Sequence, residues 1–526
     1  MSRKIFITAV ALLIAAQAHT QNKGLFSGSF SSASHYYQTD RSILFIRPND
    51  PFASNNILRL NYSQGSIVAG LQYEAYLPPI SGFPYQLEGD KIVYRFFRYT
   101  KNSIDITVGN FYEQFGNGLI LRAYENRDLG INNSLDGFRV IYRPLSFLRI
   151  TGVYGKPRRF LENSANYVRG VDADIVVDTV FNSSASLRFG AGVVSKFDKY
   201  TGPLTDFPEM VTATSVRASL SSGSLDVNGE YVVKSADPSE FNDYSHTKGS
   251  SLLLNGNFIK NRFGLFFSLR FLKQMNFLNE RESNDIYNTI NYLPSNTRQH
   301  SYMLTNIYPY STQTGEEFSL QGEVNYTFEK GSAAGGKYGT SVRVNFSQVR
   351  DLKATANSNG VSLISAGDKL YFQDLNIEIS KKWSNTLKSV LTYANIQYDK
   401  GSLEAPVYDF VRSNIVVGDI SYKASRKLSL RGEAQHLWTK EDEGNWIAGL
   451  VEIGFAPYLN LYASNMVNYR YSNKANYYNV GLGYKNNYVR LSFGYGRQRE
   501  GLMCAGGICL KVPSYKGFNL KLDVNF

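Results

Sequence analysis

Only 2 cysteines, 3 tryptophans and 15 prolines occur in 526 residues, and no block of acidic or basic residues interrupts the chain. Each scarcity excludes something. A structural zinc site takes about four nitrogen or sulfur ligands, and Cys504 and Cys509 have no histidine nearby. Disorder requires low hydrophobicity or charge runs, whereas 43% of this chain is hydrophobic. After Ala16 no apolar stretch approaches the roughly 20 residues that a transmembrane helix needs, and helical spacing dominates no window. The abundant residues are 38 Tyr, 33 Phe and 44 Gly, with Ser and Asn. They favour strands and turns, because aromatics fit a pleated surface while Gly, Ser and Asn make turns. A sequence pI near 9.2 raises the question of an anionic partner.

The first residues are a basic start, Arg3-Lys4, followed by an apolar run from Ile5 to Ala16 and then Gln17-Ala18-His19. This is the pattern of a secretory signal peptide over 1–20, with cleavage expected between Ala18 and Gln21. An N-terminal anchor is the alternative, and a lipoprotein is excluded because no cysteine stands near the site.

Beyond it, residues 21–526 read as one domain of alternating strands. Phe318, Leu320, Val324, Tyr326 and Phe328 alternate with Ser319, Gln321, Glu323, Asn325 and Thr327, and similar segments recur to the end. Period-two alternation gives each strand one apolar and one polar face. Short links such as Gln64-Gly65, Lys260-Asn261-Arg262 and Asn486-Asn487 alternate with long ones at 34–55, 114–135, 273–315, 350–369 and 498–513. That arrangement predicts an all-β fold, a large transmembrane antiparallel barrel of about 24 strands (about 20 to 26), with short periplasmic turns and long extracellular loops. A soluble sandwich or propeller would not sustain the long–short alternation along the whole chain.

The chain ends on Phe526, in a strand whose apolar face is Phe518, Leu520, Leu522 and Val524. This looks like the C-terminal signal by which bacterial outer-membrane barrels are recognised for insertion. Gly109-Asn110-Phe111-Tyr112-Glu113-Gln114-Phe115-Gly116-Asn117-Gly118-Leu119-Ile120-Leu121-Arg122, continuing Ala123-Tyr124-Glu125-Asn126-Arg127, carries a further likeness, as do Gly501 to Cys509 and Val512-Pro513. Together they resemble an uncharacterised outer-membrane barrel family of Bacteroidetes-type bacteria, over the whole mature chain. The resemblance implies location and fold and brings no catalytic residue.

Cys504 and Cys509 are expected to form a local disulfide in an oxidising compartment, with two free thiols as the alternative. His19, His35, His246, His300 and His436 fall in no triad-like arrangement, so neither a catalytic site nor a cofactor is expected. Glu441-Asp442-Glu443 reads as a solvated acidic tip, with calcium as the alternative. Trp438, Trp446, Tyr398, Tyr471, Tyr477 and Tyr478 read as an interfacial girdle, or else as a carbohydrate-stacking platform. Inward positions carry both signs in near balance, Arg59, Arg95, Arg139, Arg270 and Arg431 facing Asp105, Asp172, Glu230, Asp374 and Glu433. The first strand starts soon after the signal, so no N-terminal plug is expected. The lumen is then open, or narrowed by loop 114–135, where Gly116 and Gly118 permit a fold-in and Arg122, Glu125, Arg127 and Asp128 could constrict it.

The reading is a porin-like channel passing small polar solutes. The alternative is a structural or assembly protein that anchors surface lipoproteins or secretion components through its long loops. Expected partners are outer-membrane lipid and the barrel-assembly machinery, and nucleic acid is not among them. The basic excess sits in the short turns. Lys101, Arg143, Lys260, Arg262, Lys330, Lys337, Lys381, Lys382, Lys423, Arg426, Lys427 and Lys485 stand against Glu329. Anionic headgroups would attract each by about 1 kcal/mol.

Overall fold

Alternation decides which side of each strand faces lipid, and closure decides that the other side faces a lumen. The computed structural model describes residues 24–526 except 178–184, 201–206, 284, 357–361 and 471–475; the expected signal peptide and its expected cleavage site lie outside the described residues. The first strands are β1 (Leu25–Tyr37), β2 (Phe52–Gln64), β3 (Ile67–Tyr76), β4 (Gly89–Lys101), β5 (Ile104–Phe111), β6 (Leu135–Leu145), β7 (Leu148–Arg159) and β8 (Tyr167–Val176). Next come β9 (Ser186–Phe197), β10 (Met210–Ser222), β11 (Leu225–Lys234), β12 (Gly249–Lys260), β13 (Phe263–Lys273), β14 (Glu316–Thr327), β15 (Thr340–Ala356) and β16 (Ser362–Lys382). The circuit ends with β17 (Leu387–Asp399), β18 (Phe410–Lys423), β19 (Leu428–Thr439), β20 (Trp446–Phe455), β21 (Leu459–Asn468), β22 (Asn476–Lys485), β23 (Val489–Gln498) and β24 (Tyr515–Asn525).

Each strand pairs antiparallel with its sequence neighbours, and β1 closes on β24 from Ser29↔Asn525 to Tyr37↔Gly517. Phe526 completes the seam: its N–H donates to the Gly28 carbonyl at 3.0 Å, and the Gly28 N–H donates to the Phe526 carbonyl at 2.7 Å. Among the described residues no helix is long and apolar enough to cross a membrane. The protein is an integral outer-membrane β-barrel, in which closure leaves no unpaired strand edge for lipid to solvate.

On β14, Leu320, Val324 and Tyr326 are exposed to the outside while Glu317 and Ser319 are buried inside. Tyr62, Tyr99, Tyr142, Tyr326 and Tyr422 ring the short-turn rim as outward, exposed aromatics, which is the place of an interfacial girdle. Several sequence expectations change sides. Tyr398 and Trp446 point inward and are buried, and Tyr477 packs beside Trp446. Trp438 faces out, its ring tilted beside that of His436. Tyr471 lies outside the described residues.

Arg95 also changes side. The β3–β4 register steps from Gln72↔Tyr94 to Tyr73↔Ile92, leaving Val93 unpaired. Such a bulge reverses the alternation. Arg95 therefore shares the outer face with Phe97 and reaches Asp136 at 3.7 Å, while Arg98 turns inward onto Asp105. The expected loop at 350–369 is instead largely a continuation of the β15–β16 hairpin, pairing Leu352↔Ala366 through Ala356↔Ser362 beyond a register shift at Arg350.

The chain's only tryptophans are Trp383, Trp438 and Trp446. In variants retaining one each, brominated lipid is expected to quench Trp438 fluorescence and leave Trp446 unquenched. Equal quenching of the two would refute the inward placement of Trp446.

Candidate functional site

The lumen is where the chain departs most from an empty barrel, because its upper half is filled by the chain's own loops. Loop 112–134 folds inward as two small hairpins, Glu113–Phe115 with Leu121–Ala123 and Glu125–Asn126 with Ile131–Asn132. Gly116 and Gly118 have φ of +53° and +89°, the left-handed values that a sharp reversal needs and that glycine adopts without strain. A Cβ on Gly116 would collide with Arg217 on β10 and come within 2.8 Å of Glu230 on β11, so the turn lies directly on the wall. Asn117 fastens it there. Its backbone N–H and its side-chain amide donate to the Glu230 carboxylate at 2.8 and 2.9 Å.

The other residues singled out in this loop also meet walls or the neighbouring loop. Glu125 pairs with Arg59 on β2 at 2.8 Å and accepts a hydrogen bond from Gln72 on β3 at 2.8 Å. Arg127 lies 3.3 Å from the same carboxylate, and Asp128 lies 3.2 Å from Lys521 on β24. Arg122 instead stacks on the Tyr292 ring at 3.7 Å. Loop 112–134 thus touches strands on well-separated parts of the wall.

Loop 274–315 lies beside it and continues along the wall to β15–β20. The two loops share backbone hydrogen bonds, Arg122 N–H to the Ile290 carbonyl and Tyr292 N–H to the Gly118 carbonyl, each 2.9 Å. Phe115, Leu119, Ile120 and Leu121 join Met275, Phe277, Ile290 and Leu293 against inward Val153, Val168, Val194, Val211, Val232 and Leu272. Farther on, Leu304, Ile307, Tyr308 and Tyr310 pack on inward Phe372, Ile396, Tyr398, Ile415, Leu437 and Trp446. Full burial of such side chains is worth about 1.5–3 kcal/mol each, so the loops are seated rather than merely lying in the opening.

Polar pins hold the same seat. Arg298 pairs with Glu378 at 2.8 Å, His300 Nε2 lies 2.8 Å from Asp374, and the Leu304 N–H donates to Gln435 at 2.9 Å. Tyr308 donates to Asp442 at 3.0 Å and Tyr310 to Glu317 at 2.7 Å. Burial first, and then the adjacent carboxylates, push both phenols well above their ordinary range, so both stay protonated donors. At the root of the loop, buried Lys196 pairs with Asp237 at 2.7 Å and donates to the Leu278 carbonyl at 2.6 Å. Lys234 donates to the Asn276 carbonyl.

The expected solvated tip 441–443 is part of this network. Asp442 is held by Lys400 at 2.7 Å as well as by Tyr308, and Glu443 lies 3.4 Å from Arg499. Cys504 and Cys509 are disulfide-bonded across a hairpin, Gly501–Ala505 with Ile508–Val512. This hairpin caps loop 274–315: the Ser295 N–H donates to the Gly507 carbonyl at 3.0 Å, and Tyr292 donates to the Gly506 carbonyl. Below the loops the inner wall is polar, with Arg431 among Asp419, Glu433 and Glu452 and Arg343 between Glu323 and Glu378.

The wall residues that seat the loops were missed from the sequence, although a signal exists. Val193-Val194, Val232-Val233 and Ile415-Val416-Val417 break the apolar–polar alternation near the long-loop ends of their strands. Both faces are apolar there because both are covered. Among the described residues no cluster of His, Cys, Asp and Glu is arranged to hold a metal. His35, His300 and His436 have Tyr37, Asp374 and Tyr469 as their respective hydrogen-bond partners.

The family model that fits this chain spans residues 1–526. The chain belongs to a family of unknown function, DUF6029. No curated protein matches it. Among solved structures, the siderophore receptor PirA from Pseudomonas aeruginosa is similar at 10% identity and a TM-score of 0.42, over 96% of this chain and 81% of that one. The P pilus usher (PapC) translocation pore is similar at 9% identity and 0.44, over 95% and 99%. The copper transporter OprC is similar at 9% identity and 0.39, over 97% and 81%. Likeness at this level carries no substrate or partner to this chain.

Gly116→Val should force the loop off Arg217 and Glu230. The expected result is higher ion conductance in planar bilayers, with the heat-modifiable gel mobility of a folded barrel retained. Conductance equal to that of the unmodified protein would show that this contact does not hold the loop inside.

Proposed function

We propose that this protein is a loop-plugged outer-membrane barrel whose role is to anchor surface or secretion partners through its long-loop face, in preference to an open porin for small polar solutes. The observation that carries the reading is the seating of loop 274–315 on two apolar patches of the wall, one on β7–β13 and one on β15–β20, with loop 112–134 beside it. A passive channel needs a continuous water path, and two apolar clusters across the upper lumen oppose one. Gly116, Gly118, Arg122, Glu125, Arg127 and Asp128 then act as parts of a plug rather than as a charged constriction around a pore. The apolar face of β24, with Phe518, Leu520, Leu522, Val524 and Phe526, would present the barrel to the assembly machinery before insertion. Surface lipoproteins are the partner class suited to the outer face.

Two measurements separate this role from a porin. Reconstituted protein should give no conductance steps, and deletion of 114–127 should produce them; regular porin-like steps from the unmodified protein would overturn the plugged reading. Purified in mild detergent from its native membrane, the protein should carry a stoichiometric partner that shaving of the long loops releases. A partner-free preparation would count against the anchoring role.

A further inference from the structure

Four separate loops of the long-loop face meet round a cavity of about 210 Å³. Its walls come from Tyr124 of loop 112–134, Phe241 between β11 and β12, both ends of loop 274–315, and Gly507 to Cys509 of the disulfide hairpin. The apolar lining is Phe241, Phe277, Leu278, Ile286, Leu293 and Ile508. Phe277 and Leu293 belong to the cluster that seats the loop, whereas Phe241, Ile286 and Ile508 belong to neither cluster. Phe241 remains 37% exposed, an apolar ring at the cavity wall without full cover.

The polar side chains on the lining are largely committed to the fold. Thr289 donates to the Ile286 carbonyl at 3.1 Å, and the Asn291 amide donates to the Met275 and Leu119 carbonyls at 2.8 and 3.3 Å. Thr312 accepts from Arg270 at 3.3 Å. The charged group on the lining, Asp285, is held by Arg159 at 3.0 Å and by Ser283 at 2.8 Å. Lys196 and Lys234 lie 6.0 and 5.7 Å from the Phe277 ring and share Asp237. A charged guest would lose its hydration on entry and find these charges already paired.

We infer that this cavity is a binding site for a small uncharged aromatic molecule, of one ring or two fused rings. Size sets the limits. An apolar cavity of about 150 Å³ holds benzene, and pockets for drug-sized ligands begin at about 300 Å³. Rings on the lining favour an aromatic guest, because ring pairs gain more than the area they bury. The hairpin wall is fixed by the Cys504–Cys509 bond and by the hydrogen bonds of Gly506 and Gly507 to loop 274–315. The site is therefore preformed, and binding orders little that is not already ordered. It requires only the loops as they are seated and does not depend on the anchoring role.

The test uses the full-length protein in amphipol, which supplies no lipid phase, and 4-fluorophenol read by fluorine NMR line broadening. Saturable binding is expected. Ser311→Trp, which puts an indole on the lining, should abolish it, and Phe241→Ala should weaken it at least fivefold. Tyr85→Ala, which removes an exposed ring outside the lining, should change it less than twofold. The charged probes 4-fluorobenzoate and 4-fluorobenzylamine should bind at least tenfold more weakly than the phenol. No saturable binding by the unmodified protein, equal losses from Phe241→Ala and Tyr85→Ala, or charged probes binding as tightly as the phenol would overturn the proposal. So would displacement of the probe by cyclohexanol as readily as by phenol, since that assigns the cavity to aliphatic guests. Heat-modifiable mobility, unchanged in the variants, confirms folded barrels.

Discussion

Backbone hydrogen bonding inside a bilayer is the constraint from which the rest of this structure follows. Hydrocarbon offers no partner for an N–H or a carbonyl, so strands that cross it must close on themselves. Here closure runs through β1 and β24, with Phe526 and Gly28 bonded at the rim. Closure of so many strands creates a circumference too large for wall side chains to fill. The lumen is a consequence of the closure, and its filling is a separate problem.

The chain solves that problem with its loops. Where loops 112–134 and 274–315 lie, the inner wall is apolar, as Val194, Val211, Phe372 and Ile415 illustrate. Below them it turns polar and internally paired, as around Arg431. The boundary between those zones divides the loop-covered part of the wall from its polar part. Pins such as Asn117 on Glu230 and Arg298 on Glu378 fix where the loops sit, while apolar burial supplies most of the attraction.

Much of the wall was legible because its signal is local. Alternation within about ten residues names both faces of a strand without knowledge of its neighbours, and the long–short rhythm of the links orders the strands. Arg95 shows where local reading fails: one unpaired residue, Val93, reverses every later position on that strand. Trp446 and Tyr398 show a second failure. An aromatic near a strand end reads as interfacial until a loop is found covering it from inside.

The sequence by itself determined a strand-built barrel, its outward face and the location of its positive charge in the short turns, because each depends on residues close together in the chain. Only the tertiary structure decided that the long loops enter the lumen, that the hairpin closed by Cys504 and Cys509 caps one of them, and that Asn117 and Arg298 fasten the loops to the wall. Those outcomes depend on contacts such as Asn117 with Glu230 and Tyr308 with Asp442, which lie more than a hundred residues apart in the chain. No period or spacing encodes them. They arise when closure brings distant strands round a common space that burial then favours filling.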